Sequence, residues 1–165
     1  VMGGSIGSVY INNAIRGCID TLLTKYQIIH LCGKGNIDES LKDKKGYAQF
    51  EYISENLPAL FAAADLVVAR AGANSICELL ALHKPNILIP LSRNASRGDQ
   101  ILNANSFAKQ GFSVVLEEEE VTSERLMATI DDVMAHRSKY IDAMKNSGQM
   151  NAIETIMGLI EEVSR

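Results

Sequence analysis

Apolar residues gather along this chain in short runs separated by stretches of helical spacing, and the clearest alternation is Ala64 to Pro90, ADLVVARAGANSICELLALHKPNILIP. It predicts a strand (Asp65 to Ala69), a tight turn (Arg70 to Ala73), a helix (about Asn74 to His83) and a second buried strand (Asn86 to Ile89). A βαβ unit of this length makes its two strands parallel, and the helix between them begins beside Gly72 at the sheet edge. Unpaired backbone N–H groups and the positive end of the helix dipole gather there, which makes an anion seat. Glu78 lies four residues beyond Asn74, on the same helix face and within reach of a group attached to a bound anion. A diphosphate carrying a sugar fits both features.

The same reading extends to both sides. Val1-Met2 reads as the end of a strand and Gly3 to Ser8 (GGSIGS) as a glycine-rich loop into a helix over about Val9 to Thr24. Opening on the last pair of a central strand implies a fragment or isolated domain with an upstream part. The loop is neither G-x-G-x-x-G nor a P-loop; backbone approach to a ligand and a plain turn with a serine cap account for it about equally. Gln27 to Cys32 is a buried strand, after which Lys34 reads more simply as a solvated loop lysine than as a phosphate ligand. Residues 36–46 form a surface excursion, Ala48 to Ile53 a strand, and Ser54 the cap of a helix holding Pro58 in its first turn. Leu91 to Gly98 is a polar loop into a helix that starts at Asp99-Gln100 and ends near Gly111. Asp99 serves there either as a ligand contact or as an ordinary first-turn acid. Phe112 to Leu116 is the last strand, and Glu117 to Glu120 reads as a solvated loop. Helices follow over Ser123 to Ala135, Arg137 to Lys145 and Met150 to Val163, with Leu126, Ile130, Val133 and Met134 as core positions.

Strands near residues 1, 28, 50, 67, 88 and 114, each followed by helix or loop, predict an α/β fold with a doubly wound, Rossmann-like parallel sheet. Ligands of such sheets sit at the carboxyl ends of the strands, near the switch point. Gly3 to Ser8, Ile53, Gly72 to Glu78 and Asp99-Gln100 all fall at that edge.

Composition narrows the chemistry. At 165 residues and 47% apolar the chain makes one domain with a real core, and a net charge of -4 offers no general attraction for nucleic acid. There is no run long enough to span a membrane. Cys18, Cys32 and Cys77 are odd in number, lie in apolar settings and lack CxxC spacing, so reduced core thiols and a cytoplasmic location are expected and a metal site is not. His30, His83 and His136 have no partner at ligand spacing. Asn94-Ala95-Ser96 matches a glycosylation acceptor, which a cytoplasmic location sets aside.

MGGSIGS, RAGANSICELLALHKPNILIPL and GDQILNA, in this order and at these intervals, closely resemble the C-terminal domain of the MurG family, the bacterial N-acetylglucosaminyltransferases that convert lipid I to lipid II. The resemblance covers essentially the whole chain. It implies one half of a two-domain GT-B fold, binding the donor UDP-GlcNAc without a cofactor or metal. Acceptor lipid I, the catalytic base and peripheral contact with the cytoplasmic face of the membrane are implied for an N-terminal domain absent from this chain. By the same resemblance Gly4, Ser5 and Gly7 approach the diphosphate, and the backbone of Ile53 recognises uracil. Gly72, Ala73 and Asn74 receive the phosphates, Glu78 binds the ribose hydroxyls and Gln100 reads the GlcNAc hydroxyls. Asp99 stands where some members carry a second glutamine; a carboxylate also accepts from hydroxyls. The resemblance implies that the isolated domain binds donor but transfers negligibly. Two further readings remain open: a naturally separate donor-binding subunit of another GlcNAc transferase, and a UDP-GlcNAc epimerase or sensor.

Overall fold

A computed structural model describes residues 1–148 except Ser5, residues 54–56, Asn94 and Ser96. The expected third C-terminal helix and the Ser54 cap lie outside the described residues. The parallel sheet is present. Its strands are β1 (Ile28–Leu31), β2 (Tyr47–Phe50), β3 (Val67–Ala69), β4 (Asn86–Leu88) and β5 (Ser113–Val115), and every described pairing is parallel. β1 pairs with β2, β3 pairs with β4, and β4 with β5. Met2 joins the two groups, bridging Leu31 on one side and Ala69 on the other. The strand end expected at Val1-Met2 is this bridge, with Leu31 N–H donating to Val1 O and Met2 N–H to Val68 O, both at 2.9 Å, and the sheet grows outward from it in both directions. This is the switch point of a doubly wound sheet.

All positions of β3 and β4 are buried, as a sheet covered on both faces requires. The covering helices are α1 (Val9–Gly17), α2 (Ile19–Leu22), α3 (Leu57–Ala63), α4 (Ala73–Ala81), α5 (Asp99–Lys109), α6 (Ser123–Ala135) and α7 (Arg137–Lys145). α1 packs on α6, and α4 on α5. Ile11, Ile15, Leu126 and Val133 are buried in the first layer and Ile76, Leu79, Ala104 and Phe107 in the second. Each large aliphatic side chain removed from water here contributes about 1.5–3 kcal/mol.

Three expectations need correction. The helix expected over Val9 to Thr24 breaks at Cys18 (φ -124°, ψ 17°), where the Cys18 N–H turns back to the Ile15 carbonyl at 3.2 Å; Gly17, a weak helix former, precedes the break. β2 starts at Tyr47 and stops at Phe50, short of Ile53. Its ladder ends with Gly33 N–H donating to Glu51 O at 3.1 Å, after which the neighbouring chain turns away at Gly33 (φ 87°). Cys77 is exposed on α4, whereas Cys18 and Cys32 are buried.

A buried polar network holds α1 to the sheet. His30, fully buried, pairs through Nε2 with Asn12 Oδ1 at 2.9 Å and through Nδ1 with Tyr47 OH at 2.8 Å, and Asn12 Nδ2 donates to Cys32 O at 2.9 Å. These bonds satisfy the polar atoms that burial strips of water. Burial pushes the imidazole from its ordinary 6.5 down to about 3, so it is neutral in the fold.

An apolar cavity of about 550 Å³ opens between β1 and β3 at the amino-terminal ends of the strands, lined in part by Ile28, Leu57, Phe61, Val67 and Ile130. It lies at the opposite end of the sheet from the loops of the expected site. No described helix is long and apolar enough to cross a membrane.

The neutral His30 predicts a pH dependence. In the unfolded chain the imidazole binds a proton below 6.5, while the folded chain resists protonation to about 3. The stability tied to this residue is therefore whole above 6.5 and drains away as pH falls from there toward 3, by on the order of a few kcal/mol. Urea midpoints at pH 7 and pH 4.5 check this: the unaltered chain should lose more over that interval than His30→Gln.

Candidate functional site

The carboxyl ends of parallel strands all leave the sheet at one edge, so the turns after Met2, β1, β2, β3, β4 and β5 share it. Gly3 to Ser8 runs from Met2 into α1, whose cap is Ser8: its Oγ accepts from Ile11 N–H at 3.3 Å. Gly7 explains the sequence of this loop. A Cβ there would stand 2.2 Å from Cys32 O, and one on Gly33 would stand 2.2 Å from Ile6 O, so two backbones touch where no side chain fits. Gly4, at φ 88°, has nothing within 4 Å of a Cβ position and faces open space. Ser5 lies outside the described residues.

The start of α4 is open in the same way. Gly72 caps it with φ -67° and ψ 141°, makes no side-chain cap bond, and has no atom within 4 Å of a Cβ position. Gly72 O accepts from Ile76 N–H at 3.0 Å, the first bond of the helix, leaving the N–H groups of Ala73, Asn74 and Ser75 ahead of it without helical partners. Ala73, Asn74 and Glu78 are exposed, and Asn74 and Glu78 stand one turn apart. Across the edge, Asp99 is exposed at the start of α5 and Gln100 is half-buried, its Oε1 accepting from Leu91 N–H at 3.2 Å. That bond leaves the Gln100 amide NH₂ as the group able to face a ligand. Asn103 Nδ2 donates to Ala71 O at 3.1 Å, tying α5 to the turn before α4. Ile53 is half-buried three residues past Phe50, the end of β2, on the other side of the switch point.

The residues the sequence reading missed lie beneath these. Arg70, at the end of β3, is buried and spreads its guanidinium over four acceptors. Nη1 donates to Ile89 O at 3.1 Å and Pro90 O at 3.0 Å, and Nη2 to Ser8 Oγ at 2.9 Å and Glu118 Oε1 at 2.6 Å. Glu118 belongs to the run expected to be a solvated loop. Instead residues Glu118–Glu120 form a 3-10 turn, and the Glu118 side chain is only 12% exposed. Its other oxygen accepts from Ser92 N–H at 3.0 Å, and its carbonyl accepts from Tyr10 OH. Four acceptors, one of them a carboxylate, offset the buried charge at both Nη atoms, while the buried Nε–H has no partner among the described residues. Nothing local in the sequence marks it, because Arg70 and Glu118 are 48 positions apart.

The glycosyltransferase family 28 C-terminal domain matches residues 1–159. The UDP-N-acetylglucosamine--N-acetylmuramyl-(pentapeptide) pyrophosphoryl-undecaprenol N-acetylglucosamine transferase of Lachnoclostridium phytofermentans is 57% identical over 163 residues, 99% of this chain and 46% of that protein. The transferase of the same name from Clostridium perfringens strain SM101 is 57% identical over 162 residues, 98% of this chain and 45% of its own length. The chain thus spans about half the length of the curated relatives it matches. Among solved structures, Acinetobacter baumannii MurG superposes with a TM-score of 0.78 at 23% identity, over 98% of this chain and 48% of that one. A glycotransferase of kitacinnamycin gives 0.72 at 17% identity, over 88% and 36%. At these identities the two structures show a shared fold, half of a GT-B glycosyltransferase.

The two kinds of glycine separate experimentally. Gly7→Ala, which drives a Cβ into a carbonyl, should cost more than about 2 kcal/mol of unfolding free energy. Gly72→Ala, with an ordinary φ and open space, should cost less than about 1 kcal/mol. Denaturant unfolding of both variants measures the difference.

Proposed function

The chain belongs to the glycosyltransferase family 28 C-terminal domain family, and from that premise we propose that it is the donor-binding half of an inverting N-acetylglucosaminyltransferase, taking UDP-GlcNAc for transfer to lipid I. The observation that carries the proposal is the open amino terminus of α4, with Glu78 one turn below and the glycine-rich loop beside it. In this reading the diphosphate rests on the N–H groups of Ala73 and Asn74 and on the loop at Gly4, Ser5 and Gly7, with Gly72 giving it room. Glu78 accepts from the ribose hydroxyls. The Ile53 backbone pairs with uracil, and the Gln100 NH₂ and the Asp99 carboxylate meet the GlcNAc hydroxyls.

The chemistry follows from charge. The acceptor hydroxyl oxygen forms a bond to the anomeric carbon as that carbon's bond to the diphosphate oxygen breaks, UDP leaves with the electron pair, and the hydroxyl proton passes to a base. Attack from the opposite face turns an α-linked donor into a β-linked product. Negative charge grows on the leaving diphosphate, where oriented N–H groups and two helix amino termini stabilise it without reorganising. In this reading the exposed carboxylates at this edge, Glu78 and Asp99, are taken up by the donor's hydroxyls, and base and acceptor are assigned to the other half of the full-length protein. Contact with the cytoplasmic membrane face is assigned to that half as well.

Calorimetric titration of the chain with UDP, UDP-GlcNAc and UDP-GalNAc tests the reading. Saturable binding is expected, with UDP-GlcNAc preferred over UDP-GalNAc. Glu78→Ala should weaken UDP and UDP-GlcNAc together by about tenfold, the cost of one or two charge-assisted bonds, while Gln100→Ala should weaken only the sugar nucleotides. A folded sample that binds no uridine nucleotide would overturn the proposal.

A further inference from the structure

The two loops that would serve the diphosphate and the sugar of the donor belong to different parts of the chain. Gly3 to Ser8 follows Met2, and the segment beginning at Leu91 follows β4. Among the described residues, Arg70 and Glu118 link them. Arg70 is fixed on one side by Ser8 Oγ and by the carbonyls of Ile89 and Pro90. Glu118 takes that guanidinium with one oxygen and the Ser92 N–H with the other, at 2.6 and 3.0 Å. Its own backbone is held to α1 by the Tyr10 hydroxyl. Arg70 and Glu118 side chains are 7% and 12% exposed, so water competes little for these bonds.

We infer that Glu118 is a positioning residue, setting the loop that begins at Leu91 relative to the glycine-rich loop so that the first turn of α5 meets the sugar while the diphosphate is held at α4. The inference rests on the donor-binding reading above. The carboxylate matters because two donors, Arg70 Nη2 and Ser92 N–H, converge on its two oxygens. A glutamine of the same shape has one acceptor oxygen, and its NH₂ must face one of those donors. The buried guanidinium charge turns the amide oxygen to Arg70, so Ser8 keeps its bond from Arg70, Arg70 keeps its two carbonyls, and the NH₂ faces the Ser92 N–H. The disturbance therefore falls on the sugar side.

The test is Glu118→Gln in this chain, titrated with UDP and with UDP-GlcNAc and followed by amide hydrogen exchange. The expected result is UDP affinity within about threefold of the unaltered chain and UDP-GlcNAc affinity lowered about tenfold or more, as for the loss of a charged hydrogen bond. The Ser92 amide should exchange faster, and the Ile11 amide, bonded to Ser8 Oγ, at its original rate. An unchanged ratio of the two affinities in a folded sample overturns the inference. Equal weakening of both ligands alongside a lower unfolding temperature also overturns it, since that is a purely structural role. If the unaltered chain binds neither nucleotide, the donor reading falls; the exchange rate of Ser92 then decides the positioning role alone, supporting it if accelerated and overturning it if not.

Discussion

The carboxyl edge of this sheet depends on the burial of one positive charge. A guanidinium cannot leave water without acceptors, and leaving one unpaired costs several kcal/mol. Arg70 sits at the end of β3, in the middle of the edge, and its acceptors come from the cap of α1, the chain leaving β4 and the turn after β5. Each turn is held where it satisfies that charge. The requirement that buries Arg70 thus also determines how far apart the loops at this edge stand.

Above this layer the edge is open, and below it the packing is tight. Gly7 and Gly33 press backbone on backbone, while Asn12, His30 and Tyr47 bind α1 to β1 and β2 from beneath. The start of α4, by contrast, keeps open space around Gly72. N–H groups whose directions are fixed before a ligand arrives need no reordering to receive it, which is how a protein stabilises charge that appears only during a reaction.

The sequence made the periodic parts of this architecture legible. The βαβ unit from Ala64 to Pro90 and the glycine-rich loop follow from local pattern, since strand burial, helix spacing and turn chemistry are written within a few residues of one another. The break at Cys18 was not legible, because apolar spacing continues across it. Tyr47 carries no local strand mark, and its place opposite Ile28, with its hydroxyl on His30, shows only in the fold. Glu118 looked like any acid in a run of four, and only the fold brings it against Arg70. The positions expected to touch the donor sit on exposed turns, where turn chemistry is visible. The residues that hold those turns are legible only in three dimensions.

Val1 and Met2 join β1 and β2 to β3, β4 and β5: Leu31 N–H donates to Val1 O and Met2 N–H to Val68 O, both at 2.9 Å. The parts of the candidate site lie on either side of this junction. Ile53 follows the strand pair on one side, while α4 and α5 begin on the other. A nucleotide-sugar lying across this edge would act as a staple over the junction, its base gripping one group of strands and its phosphates and sugar the other. Occupancy would then tie the two groups of strands together at the edge from which the loops rise.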